Sequence, residues 1–155
     1  MTWLPRVCLL FAAGALPAAP PPAAANAPLT LEAVRALPDP EKRAGEATKF
    51  AEETVKKLVK TFHDGEVSQG KQMLDDIRAA AELACESLES TGKDARRKPK
   101  HFKRLEIATR RLAGELRDAA KSLNFDEQPL IEPVIASIEV INAKLLTAIM
   151  TKKKK

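Results

Sequence analysis

KPKHFKRLEIATRRLAGELRDAAKSL, residues 98–123, decides how the rest of the chain is read. Its apolar positions are Phe102, Leu105, Leu112, Leu116, Ala119 and Leu123, with the half-apolar Thr109 completing the row. Steps of three and four sustained over this length mark one buried stripe on an amphipathic helix. The other positions are crowded with charge: Arg96 to Lys121 holds ten basic and three acidic residues, a local balance of +7. Such a helix needs an apolar neighbour on one side and something acidic on the other. The stripe implies a helical bundle, and the basic back implies an acidic partner inside or outside the molecule.

Working outward, the pattern repeats in three further segments. Upstream, Ala44, Ala47, Ala51, Val55, Leu58 and Phe62 form a stripe flanked by Phe50 and Val59. Asp39 stands as its N-cap, Pro40 at the first helical position and Gly65 just past its end. Glu52 and Glu53 sit four residues before Lys56 and Lys57, a spacing that favours pairing along the helix. Next come Val67, Gly70, Leu74, Ile77, Ala81, Ala84 and Leu88, with Gly92 as terminator. Gly70 on that seam implies close approach to a neighbouring helix. Glu66 to Glu89 carries six acids and two bases, a balance of −4. Opposite charge and a short connection predict that this helix and the basic one pack side by side, antiparallel. Downstream, Asp126 is the expected cap of a last helix, in which Pro133 lies a turn too far in for comfort. That segment is apolar over more than one face (Val134, Ile135, Ile138, Val140, Ile141, Leu145, Leu146, Ile149, Met150), which predicts either the most buried helix or an oligomer interface.

The expected architecture is therefore all-α, an antiparallel up-down-up-down four-helix bundle over 39–151, with helices near 40–63, 66–91, 98–123 and 127–150. Composition agrees: aromatic residues are 4% of the chain, tyrosine is absent, and most of the eleven prolines precede residue 41. Ahead of the bundle, residues 1–25 read as a signal peptide. Arg6 provides the charge, Val7 to Ala19 the apolar run, and Ala23-Ala24-Ala25 a cleavage site before Asn26. Residues 26–38 form a linker in which Thr30 caps a short helical piece before Pro38-Asp39-Pro40. The expected destination is the periplasm or the exterior, with no transmembrane span after cleavage. Residues 152–155 are a lysine tail suited to a helix C-terminus.

The sequence excludes more chemistry than it offers. The six glycines are scattered singly, so no phosphate-cradling loop exists. No Glu-x-x-His pair supports a di-metal bundle, and no C-x-x-C-H attaches haem. His63 and His101 both fall near helix ends, and the sequence allows them to share one end of the bundle. Cys85, on a helix, reads as a small core hydrophobe. Accordingly no catalytic residue, metal ligand or cofactor is assigned. The strongest surface feature is a basic cluster, Lys93, Arg96, Arg97, Lys98, Lys100, Lys103 and Arg104. It suits an acidic protein, an anionic polymer or an anionic surface. Nucleic acid is disfavoured by the absence of stacking aromatics. The expectation is an exported, non-enzymatic binding protein, with homo-oligomerisation through Val134–Met150 as a further option. The alternative is a small ligand- or redox-cofactor-carrying bundle using Met73, His101 or Cys85.

Overall fold

The structure, a computed structural model, describes residues 29–151; the expected signal peptide and the lysine tail lie outside that range. The described chain is all-helical: α1 (Leu31–Arg35), α2 (Pro40–His63), α3 (Val67–Ser90), α4 (Lys100–Ser122) and α5 (Gln128–Met150), packed against each other around one core.

The local signals act as their chemistry requires. The Thr30 hydroxyl accepts the Ala33 amide at 3.2 Å and starts α1, while Asp39 Oδ1 accepts the Glu41 amide at 2.9 Å and starts α2 with Pro40 in its first turn. Gly65 and Gly92 adopt φ of 82° and 63°, the left-handed conformation that stops α2 and α3. The expected stripes of α2 and α4 are buried throughout, and α3 buries its stripe from Gly70 to Leu88, leaving only Val67 exposed. Gly70 lies directly beneath the Phe62 ring: a Cβ there would come within 2.6 Å of Phe62 Cζ. The glycine is what lets α2 and α3 approach so closely. At the opposite end, α1 seats Val34 in the core. Arg43 fixes α1 there, donating from Nε to Ser87 Oγ (2.9 Å) and from Nη1 to the Leu37 carbonyl (3.0 Å).

The start of α5 differs from expectation. Asp126 does not cap it; Glu127 occupies the N-cap position without a side-chain bond, and the Glu127 carboxylate instead accepts the Asn124 amide at 3.2 Å. The helix runs on through Pro133, whose carbonyl accepts the Ser137 hydroxyl at 3.0 Å.

Helix order around the core also differs. Helices α2 and α3 form one antiparallel pair, and α4 and α5 another. The pairs meet with α2 beside α4 and α3 beside α5, each of these two contacts parallel. Helices α2 and α5 do not touch, and α3 and α4 touch only slightly, so these are the diagonals. The acidic α3 and basic α4 therefore do not face each other as expected. The reason is the connection: nine residues separate Ser90 from Lys100, enough to span a diagonal at about 3.3 Å per residue, and Ala95 tucks into the core on the way. Ion pairs between helices follow the real neighbours. Arg111 of α4 meets Glu52 of α2, Arg117 of α4 meets Glu139 of α5, and Lys144 of α5 meets Glu89 of α3 at 2.6 Å. Glu52, expected to pair with Lys56 along its own helix, thus reaches across to α4.

Helix α5 is not the most buried of the set. Only Ile131, Val134, Ile138, Ile141 and Leu145 are enclosed, while Val140, Leu146 and Met150 remain 68%, 40% and 76% exposed. By length and composition α5 could cross a membrane, with a mean hydropathy of 1.5, yet its inner face packs on α3 and α4. An all-round apolar pattern ordinarily signals enclosure; here two neighbours cover one stripe and the rest faces outward.

Candidate functional site

The basic cluster is built on the diagonal connection and the first turn of α4. Asp94 organises the connection: its Oδ1 accepts the amides of Arg96 (2.9 Å) and Arg97 (3.4 Å), and its carbonyl accepts the amide of Lys98 (2.9 Å). With Asp94 bonded on one side and Ala95 buried on the other, the turn is held at both edges. Arg96, Arg97, Lys98, Lys100, Lys103 and Arg104 are all exposed around it. Lys93 is occupied, paired through Nζ with Glu41 in the first turn of α2, and His101 Nε2 approaches the other Glu41 oxygen at 3.5 Å. The Lys93 hydrogen bond, reinforced by His101, holds the Glu41 carboxyl below the usual glutamate range. Glu41 thus ties the connection to the end of α2. No side chain caps α4, whose N-cap is Pro99, so the partial positive charge of its first amides adds to the same surface. All seven cluster residues lie within this one region.

Arg104 also lines a groove of about 640 Å³ between α2 and α4. Ala44, Gly45, Thr48 and Ala108 are among its lining residues, small side chains that leave space between the parallel helices, and Leu105 lines it as well. Charges further along the groove are paired: Lys49 with Glu46 at 2.8 Å, and Arg111 with both Glu52 and Glu115. Gly45 has open space where a Cβ would stand, as does Gly114.

The other chemistry-bearing residues do not converge. Because α2 and α4 run parallel, His63 at the end of α2 and His101 at the start of α4 lie at opposite ends of the molecule, contrary to the shared end that the sequence allowed. Met73, near the start of α3, is at the His63 end and so cannot pair with His101. Cys85 is buried, with Sγ 3.7 Å from Glu89 Oε1. Burial first, and the Glu89 charge second, push its thiol up to about 11, so it stays protonated and unreactive near neutrality. Glu89 also raises the Lys144 ammonium by hydrogen bonding to it. Among the described residues no group of three or more His, Cys, Asp or Glu is placed to hold a metal.

One polar feature escaped the sequence reading. Between α4 and α5, Asn142 Nδ2 donates to the Glu106 carbonyl (2.8 Å) and to Thr109 Oγ1 (3.0 Å), and lies 3.4 Å from Glu106 Oε1. Glu106 and Thr109 are buried, so Thr109 is a hydrogen-bonding member of its stripe, not a substitute hydrophobe. The available signal was Asn142 itself, an amide set between the core residues Ile141 and Leu145. A satisfied polar contact of this kind fixes the register of two helices.

Neither protein-family models, nor curated proteins, nor solved structures yield any match to this chain.

Proposed function

We propose that this chain is an exported bundle of four long helices in up-down-up-down succession, with residues 1–25 as its signal peptide, and that it acts by binding a partner and not by catalysis. The partner presents negative charge to Lys93, Arg96, Arg97, Lys98, Lys100, Lys103 and Arg104. The observation carrying this reading is the exposure of six of these cations, Arg96, Arg97 and Lys98 on a connection pinned by Asp94 and Ala95 and Lys100, Lys103 and Arg104 on the uncapped start of α4. A pinned turn spends less conformational entropy on binding than a floppy basic tail would. Among the described residues, the α3 carboxylates that form ion pairs do so with Arg78 and Lys144, outside the cluster.

The test is titration of the protein with polyglutamate and with phosphatidylglycerol or phosphatidylcholine vesicles at low and high salt. Binding to either anionic probe should weaken as salt screens the charges. Reversing Arg96, Arg97 and Lys100 to glutamate should reduce it about tenfold or more at low salt. Unchanged affinity in that triple variant would remove the cluster from consideration. Mass spectrometry of native material should find an N-terminus at Asn26, and an intact Met1 on cytoplasmic protein would refute export.

A further inference from the structure

The outward side of α5 carries a second regular pattern. Pro133, Ala136, Val140, Ala143, Thr147 and Met150 follow one another at alternating steps of three and four, and every one of them is exposed. This is the heptad spacing of a coiled-coil seam, directed away from the core stripe Ile131–Leu145. With Pro133, Val140 and Thr147 at position a, the flanking g positions are Glu132, Glu139 and Leu146, and the e positions are Ser137 and Lys144. All are exposed but the half-buried Ser137.

We infer that this face is a homodimer interface in which α5 packs parallel against α5 of a second copy. Charge decides both the occupant and the direction. In a parallel pair each g position meets the e position five residues on in the other copy, so Glu139 meets Lys144, and twofold symmetry repeats the contact. An antiparallel pair sets g against g and e against e, bringing together Glu132, Glu139 and Leu146 on one side and Ser137 and Lys144 on the other, with no opposite charges opposed. The small side chains of Ala136 and Ala143 let the two helices approach closely, with Val140 filling the centre. An anionic lipid surface fits less well, since Glu132 and Glu139 border the apolar strip. The Arg117 and Glu89 partners that Glu139 and Lys144 have within one copy leave both side chains about half exposed, so each can serve a second contact.

The consequence deepens the binding role proposed above and rests on it for its meaning, though not for its test. Helix α5 ends at the same end of the molecule at which α4 begins, because Lys144 pairs with Glu89 near the end of α3 and the nine-residue connection leads from there to α4. A parallel dimer therefore sets both basic clusters at one end, and a single extended anion can engage them together.

Sedimentation velocity of the full chain over a roughly hundredfold concentration range tests the dimer. The expected result is a monomer–dimer equilibrium that Val140→Glu abolishes while leaving the circular dichroism spectrum unchanged, since residue 140 faces solvent in one copy. Glu139→Lys should weaken association, and Glu139→Lys with Lys144→Glu should restore it. That rescue cannot come from the pairs within one copy, which the double exchange breaks. Oxidation of Val140→Cys in a Cys8→Ser background should link the two copies. A monomer at every concentration, a dimer indifferent to Val140→Glu, or a dimer in which Val140→Cys links only to Ala143→Cys would each overturn the inference. So would a monomer whose Val140 face partitions onto phosphatidylcholine vesicles. Loss of anion binding without loss of the dimer would count against the proposed function alone.

Discussion

Three helical glycines allow one substitution to be read in opposite directions. At Gly114 of α4 a Cβ meets nothing within 4 Å, and the same holds at Gly45 of α2. Alanine at either site should stabilise the fold by up to about 1 kcal/mol, the difference in helix propensity. At Gly70 a Cβ would stand 2.6 Å from Phe62 Cζ and 2.8 Å from Cε1 and Cε2, where carbon atoms rest at about 3.5–4.0 Å. Phe62 is among the largest fully enclosed side chains, so its ring must move by about 1 Å within a dense interior, an overpacking that costs about 1–3 kcal/mol. Gly70→Ala gains the same propensity, leaving a net loss of about 0–2 kcal/mol. The informative quantity is the gap between Gly70→Ala and Gly114→Ala, about 1–3 kcal/mol, because subtraction removes the propensity they share. Urea denaturation followed by circular dichroism measures it. Phe62→Leu should close much of the gap when combined with Gly70→Ala, since neighbours in contact are not additive. Equal stability of the Gly70→Ala and Gly114→Ala proteins would refute the close approach of α2 and α3.

Two further outcomes concern titration. Glu41 has its carboxyl lowered from 4.5 by Lys93 and His101, so its contribution to stability is present above that value and is lost as pH falls through the lower, folded value; the urea midpoints of wild type and Glu41→Gln should differ at pH 7 and converge in acid, and a constant difference would contradict the pairing. Cys85, raised from 9.0 to about 11, favours the folded state fully below pH 9, and that advantage disappears as pH climbs to about 11. In a Cys8→Ser protein, dithionitrobenzoate should label Cys85 rapidly in urea and slowly in buffer; rapid native labelling would mean that the thiol is not enclosed.

Much of the fold was legible because the same periodicity states both where a helix lies and which side is covered. Asp39, Pro40, Gly65 and Gly92 marked helix ends by local chemistry alone, and every residue of the α2 and α4 stripes is buried, with Thr54, Glu106 and Ala113 buried besides. What stayed hidden depends on how helices are ordered around the axis. Charge balance favoured α3 beside α4, but exposed pairs contribute at most about 1 kcal/mol each, too little to override packing. Helix α3 buries two adjacent sides, Ser87 against Arg43 of α2 and Cys85 towards Lys144 of α5; a single heptad seam did not reveal that width. The apolar excess of α5 was visible, but periodicity cannot say which of several greasy sides a neighbour will cover. The seven cluster residues were legible from composition, whereas the roles of Asp94, Ala95 and Glu41, which hold the connection in place, became apparent only from its folded contacts.

The crossing of the 91–99 connection from one diagonal corner to the other divides the interior along a plane between two stretches that are contiguous in sequence. Each half closes on itself through a tight reversal, at Gly65 for α2 and α3 and at residues 123–127 for α4 and α5. Contacts within a half are short-range, the kind that form quickly from an extended polypeptide, while those between halves wait for the two to meet. Cutting the backbone within 96–98 would leave every helix pair whole, so the two pieces retain the complementary faces needed to reassemble as separate strands of polypeptide, with the basic residues at the cut.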